Sequence, residues 1–162
     1  MYTLGINAYH GDSSACIYKD TELIAATEEE RIVRIKHWAG LPIKAIQFCL
    51  DEANITLKDV DVITVSRDPK AKIGKKIIQT LKKGISLKAV KDRGSNQLKI
   101  TKIKSDITES LGFKPSDIKA KLYFAEHHRS HMASSFFVSP FQESAILSVD
   151  GMGDFSSTMR GT

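Results

Sequence analysis

The stretch Glu126-His127-His128-Arg129-Ser130-His131-Met132-Ala133-Ser134-Ser135-Phe136-Phe137-Val138-Ser139-Pro140-Phe141 decides how this chain is read. It holds no Gly or Pro before Pro140, which predicts a helix, and the four-residue step puts His127 and His131 on one face of it. Next comes the apolar run Ala145-Ile146-Leu147-Ser148-Val149, which predicts a buried strand ending at Asp150, with Gly151 immediately after. A carboxylate at the C-terminal end of such a strand points into the crevice where open α/β sheets bind ligands. Two imidazoles on a helix plus one carboxylate is a common divalent-metal constellation. The plainer alternative has His131 packing in a core and Asp150 opening a turn.

The two ends of the chain resemble each other. Leu4-Gly5-Ile6-Asn7-Ala8-Tyr9-His10-Gly11-Asp12-Ser13-Ser14-Ala15 matches Leu147-Ser148-Val149-Asp150-Gly151-Met152-Gly153-Asp154-Phe155-Ser156-Ser157-Thr158 in order. Each is a short apolar strand, an Asn or Asp, a small-residue turn with Gly-Asp, then two serines entering another strand. The pattern predicts two related halves, each opening with a hairpin. Gly- and Ser-rich turns expose backbone N–H groups suited to phosphate, although Gly-Asp turns are also common as plain β-turns.

These residues carry a family resemblance. Leu4–Ala15, the run Ala25-Ala26-Thr27-Glu28-Glu29-Glu30-Arg31 with Arg34, Lys36 and His37, and Glu126–Asp154 are similar to the N-terminal part of the NodU/CmcH/TobZ carbamoyltransferases. The likeness covers most of the chain except its lysine-rich middle. It implies an α/β fold with a mixed sheet and helices: a ribonuclease-H-like lobe of an actin-like, sugar-kinase-like ATPase. Residues 1–143 would form the first lobe, with a lysine-rich helical insertion at about 67–104, and 144–162 the opening hairpin of an incomplete second lobe.

The resemblance also implies chemistry. In the family a carbamoyl group passes from carbamoyl-adenylate to a hydroxyl of a small molecule, and a second, YrdC-like domain makes that adenylate from carbamoyl phosphate and ATP. His127, His131 and Asp150 match the ligands of a divalent metal, usually taken as iron, with Zn or Mn as alternatives. A further aspartate ligand is expected beyond Thr162, so this stretch alone is expected to be inactive. Ser13, Ser14, Gly151, Gly153, Ser156 and Ser157 are expected to hold nucleotide. His10, Asp12, Arg31, Lys36 and His37 are the candidate catalytic groups; a cation here would stabilise charge developing on a carbonyl oxygen. Many members have His directly before the first-turn aspartate, whereas here Gly11 stands there and His10 one residue earlier. Either His10 reaches the same space from a shifted backbone, or it faces outward.

Composition sets the remaining bounds. With 41% hydrophobic residues, the chain has enough apolar content for an ordinary core. Cys16 and Cys49 read as buried apolar residues rather than a disulfide. The start Met1-Tyr2-Thr3-Leu4-Gly5 lacks the charged and apolar regions of a secretory signal, and no apolar run reaches membrane-spanning length, so a cytoplasmic location is expected. A homo-oligomer is compatible with all of this. The net charge of +5 comes from the segment between Arg67 and Lys104, whose basic residues are opposed only by Asp68 and Asp92 and outweigh a net negative remainder; its lysines interleave with isoleucines and leucines around Gly74, Gly84 and Gly94. That segment reads as a solvated helical insertion; the competing reading, a basic nucleotide- or nucleic-acid-binding module, is weakened by its lack of aromatics. A tRNA threonylcarbamoyl transferase, which also carries paired histidines four apart, is the other alternative. The Glu28–His37 block and the tail Ser135-Phe136-Phe137 to Phe141 favour the small-molecule transferase.

Overall fold

Strand β1, Tyr2–Asn7, alternates between buried and half-exposed positions, with Leu4 and Ile6 inward, as a pleated strand with one packed face requires. The computed structural model describes residues 1–69, 71, 102–153 and 156–162. The lysine-rich insertion expected at about 67–104 falls largely outside the described residues. After β1 come β2 (Ser14–Lys19) and β3 (Glu22–Glu28), paired in an antiparallel meander as expected. Asp20 takes a left-handed conformation (φ 55°) at the turn between β2 and β3.

Two helices follow, α1 (Glu29–Val33) and α2 (Ile43–Glu52). The Leu41-Pro42 start signal places α2 correctly, and Ala45, Ile46, Cys49 and Leu50 form its buried stripe. Strand β4 (Val62–Val65) then returns parallel to β1, burying Ile63 and Val65. A helix at residues 102–110, α3, buries Ile103 and Ile107, one turn apart, and β5 (Lys121–Phe124) completes the sheet. The order is β3-β2-β1-β4-β5, a mixed five-stranded sheet with helices, which is the α/β class the sequence predicts. Helix α1, only five residues long, is too short to show a hydrophobic period in the sequence. Cys49 is buried, as expected, whereas Cys16 is only half-buried.

The rest of the chain is α4 (His127–Phe136) and the antiparallel hairpin β6 (Ile146–Gly153) and β7 (Ser156–Gly161). Both chain ends thus form the hairpins that the internal likeness predicts. The chain divides into two compact units, 1–65 with 95–123, and 66–94 with 124–162. Helix α4 packs on β6 and β7 and belongs with them. Among the described residues no helix is long and apolar enough to cross a membrane.

Candidate functional site

Helix α4 has no apolar stripe, and its one buried residue is a histidine. His128 is fully buried, with Nδ1 2.8 Å from Ser148 Oγ on β6 and Nε2 2.9 Å from the Ser156 carbonyl on β7. A carbonyl only accepts, so Nε2–H donates to it, and one imidazole ties α4 to both strands of the hairpin. The serines of α4 turn their hydroxyls back onto the helix: Ser130 to the Glu126 carbonyl, Ser134 and Ser135 to that of His131. Sequence reasoning passed over His128, because hydrophobic periodicity gives a buried imidazole no weight.

With α4 anchored this way, His127 and His131 are carried to Asp150. His127 Nε2 lies 2.6 Å from Asp150 Oδ2, His131 Nε2 lies 3.5 Å from the same oxygen, and the two Nε2 atoms are 3.0 Å apart. The 3.0 and 3.5 Å separations are those of ligands about 2.0–2.2 Å from a shared ion, while His127 and Asp150, at 2.6 Å, stand at hydrogen-bond distance and would part by about half an ångström to share one. Two ring nitrogens facing each other at 3.0 Å cannot both carry a proton comfortably, whereas both can donate lone pairs to a cation. The residues present therefore fit a divalent metal. The Asp150 carboxyl is pushed down to about 2, chiefly by the hydrogen bond with His127 and next by the Gly151 N–H 2.6 Å from Oδ1.

One expectation needs correcting here. Asp150 does not end its strand: β6 continues to Gly153, with an irregular register between Val149 and Gly153. A register shift re-aims side chains, and this one accompanies the turn of Asp150 toward α4. Of the expected nucleotide-binding residues, Gly151 is exposed, with its N–H directed at Asp150, and Gly153 pairs with Ser156. The Ser156 carbonyl serves His128, and Ser157 is exposed on β7.

The first unit holds the other expected residues. Ser13 is fully buried; its hydroxyl lies 2.8 Å from the Gly40 carbonyl and 3.1 Å from that of His10, and its N–H donates to Trp38 at 3.0 Å. Both its donors are thus committed internally, which leaves none for a phosphate and makes Ser13 a builder of the turn. Ser14 is the first residue of β2, opposite Asn7. His10 stays in its turn, Nδ1 3.1 Å from the Gly11 carbonyl.

The Glu28–Arg31 run performs three separate tasks. Glu28 pairs with Arg31 at 3.2 Å. Glu29 is buried and accepts the Lys44 and Ala45 N–H groups at 3.1 and 2.7 Å, capping the first turn of α2, which Pro42 cannot cap. Glu30 accepts the His37 backbone N–H at 2.8 Å. His37 Nδ1 meets Asp12 Oδ1 at 2.9 Å, and exposed Asp12 and His37 form one cluster with half-buried Glu30. Lys36 is exposed and makes no hydrogen bond or ion pair among the described residues.

Comparison with known proteins shows the family of the chain. The carbamoyltransferase N-terminus family model matches residues 2–160. An uncharacterized protein of Synechocystis sp., sll1178, is 38% identical over 97% of this chain and 26% of its own length. The nodulation protein NolNO of Sinorhizobium fredii is 32% identical over 93% of the chain and 21% of its own length. The chain thus spans about a quarter and a fifth of these relatives. Among solved structures, YeaZ from Pseudomonas aeruginosa aligns with TM-score 0.40 and 13% identity, covering 85% of this chain and 49% of that one. With nearly its whole length matched, the chain belongs to the carbamoyltransferase family and corresponds to its N-terminus.

Proposed function

We propose that this chain is the N-terminal part of an O-carbamoyltransferase. It would move a carbamoyl group from carbamoyl-adenylate, made from carbamoyl phosphate and ATP, to a hydroxyl of a small molecule. The observation that carries the reading is the convergence of His127, His131 and Asp150 within 3.5 Å, in a chain whose family transfers carbamoyl groups. A divalent ion bound there, iron by preference, would supply Lewis acidity toward carbonyl or phosphate oxygens. The protein's own part is to hold the two imidazoles through His128 and to keep Asp150 ionised through the Gly151 N–H. Lys36 and Arg31 offer positive charge to phosphate or to a carbonyl oxygen as it becomes negative. The mixed sheet, a three-strand meander followed by a parallel strand, supports assignment to a ribonuclease-H-like lobe of an actin-like fold. A YrdC-like domain in the complete protein and a cytoplasmic location belong to the same proposal.

The test is AMP release by the complete protein, dependent on carbamoyl phosphate and ATP, with metal content measured alongside. His127→Ala, His131→Ala and Asp150→Asn should each lose bound metal and AMP release together. Unchanged metal and unchanged turnover in all three would overturn the proposal.

A further inference from the structure

We propose that His37, oriented by Asp12, is the general base that takes the proton from the acceptor hydroxyl. The inference rests on the carbamoyl-transfer reading and gives a task to a pair that lies outside the His127/His131/Asp150 cluster. It stands on the geometry of two turns. Asp12 Oδ1 lies 2.9 Å from His37 Nδ1, and both groups are more than half exposed. A carboxylate at Nδ1 fixes the proton on that nitrogen and turns the lone pair of Nε2 outward. Among the described residues no group bonds His37 Nε2.

The backbone is built around this pair at a cost. Of the six non-glycine residues with positive φ among the described residues, four are Tyr9 (64°), Asp12 (63°), Arg34 (61°) and His37 (55°), all in the two turns concerned. Glu30 pins the His37 N–H at 2.8 Å, Asn7 Nδ2 donates to the Asp12 carbonyl at 3.1 Å, and Ser13 stitches the turns together through Trp38 and Gly40. An exposed imidazole–carboxylate pair adds little stability, so stability does not account for holding both residues in left-handed conformations. Strain over-determined by its surroundings around a titratable pair is a mark of a functional site.

The step balances as follows. His37 Nε2 takes the hydroxyl proton while the hydroxyl oxygen bonds to the carbamoyl carbon. The bond from that carbon to the phosphate oxygen breaks, its electron pair leaves with AMP, and the imidazolium returns its proton to solvent. Asp12 is a positioning residue: it aligns the ring and stabilises the imidazolium. The charged groups facing His37 are Asp12 and Glu30, and both favour its protonated form, with the Asp12 hydrogen bond the larger influence. Transfer should therefore rise with pH through a histidine ionisation displaced above the ordinary range.

The experiment uses the complete protein, with carbamoyl phosphate and ATP, and two probe nucleophiles: water, which needs a base, and hydroxylamine, which does not. His37→Asn and His37→Gln should lower AMP release to water about 100-fold or more, the range of general-base catalysis, and leave release to hydroxylamine within a few-fold of wild type. In Asp12→Asn the rising limb of the pH profile should move toward lower pH. The His37 titration, read from ¹⁵N resonances of histidine-labelled protein, should move with it. Normal water-dependent turnover in both His37 variants, or a limb unmoved in Asp12→Asn, would overturn the dyad and leave the transferase reading standing. No AMP release from wild type with either nucleophile would defeat the transferase reading, and the dyad with it.

Discussion

Replacing His128 by Ala, Asn and Gln tests how the helix of paired histidines is held. His128→Ala removes a fully buried ring and both of its bonds, to Ser148 Oγ at 2.8 Å and the Ser156 carbonyl at 2.9 Å. A buried polar group left without its partner costs about 1–3 kcal/mol. The Ser148 hydroxyl can rotate to another acceptor, but the Ser156 carbonyl is fixed in β7, so its loss should dominate. Adding the cavity, large-to-Ala replacements of this kind cost about 2–5 kcal/mol in total, and His128→Ala should fall in the upper half of that range. The Asn amide sits where Nδ1 was and should retain the Ser148 bond. The Gln amide reaches the Nε2 position and should retain the Ser156 bond. The predicted order of stability is wild type, then Gln, then Asn, then Ala. Urea unfolding and amide exchange across β6 measure it, and about 4 kcal/mol corresponds to about 8–16 °C in melting temperature at this chain length. Metal affinity should fall in the same order, although no ligand has been touched, because His127 and His131 flank the anchored residue. A cost below about 1 kcal/mol for His128→Ala would refute this account of how α4 is held, and so would metal affinity equal to wild type.

Other consequences follow from particular contacts. Glu29→Ala strips two first-turn N–H groups of α2 of their acceptor and should cost about 2–4 kcal/mol in chemical denaturation; Glu29→Gln, which keeps one acceptor oxygen, should cost less. The Asp150 carboxyl titrates at about 2 in the folded chain and near 3.9 unfolded, so its contribution is whole above about 4 and lost as pH falls toward 2. Acid unfolding followed by circular dichroism should therefore lose that pH-dependent slope in Asp150→Asn. A Cβ at Gly5 would stand 2.7 Å from Cys16 Sγ, so Gly5→Ala should cost about 1–3 kcal/mol by thermal unfolding, and a Gly5→Ala/Cys16→Ala double variant should recover part of it.

Much of the architecture is written in local pattern. Leu4 and Ile6 alternate with half-exposed neighbours, Pro42 precedes a stripe of Ala45, Ile46, Cys49 and Leu50, and a four-residue step joins His127 to His131. Each of these depends on residues within one turn or one pleat of each other, so periodicity reads it directly. The likeness between the two chain ends is of the same kind, since each end forms its hairpin from neighbouring residues.

Other features come from contacts that no local pattern encodes. The end of β6 is set by pairing with β7, which carries the strand past Asp150 to Gly153 despite the small residues there. Glu29 reads as one more surface charge in Glu28-Glu29-Glu30, but the placing of α2 after the meander turns it into a buried cap. His128 reads as polar and becomes the buried anchor of α4, because a hydroxyl and a carbonyl from two strands meet both of its nitrogens. Asp12 and His37 lie 25 residues apart and meet because Ser13 binds the backbone of the second turn. The sequence by itself determined which side chains could bind a metal, carry charge or fill a core, since those are properties of residue type and short spacing. Which polar groups are buried, and which partners satisfy them, was decided only by the tertiary structure, because desolvation and hydrogen bonding depend on atoms that chain folding brings from far away.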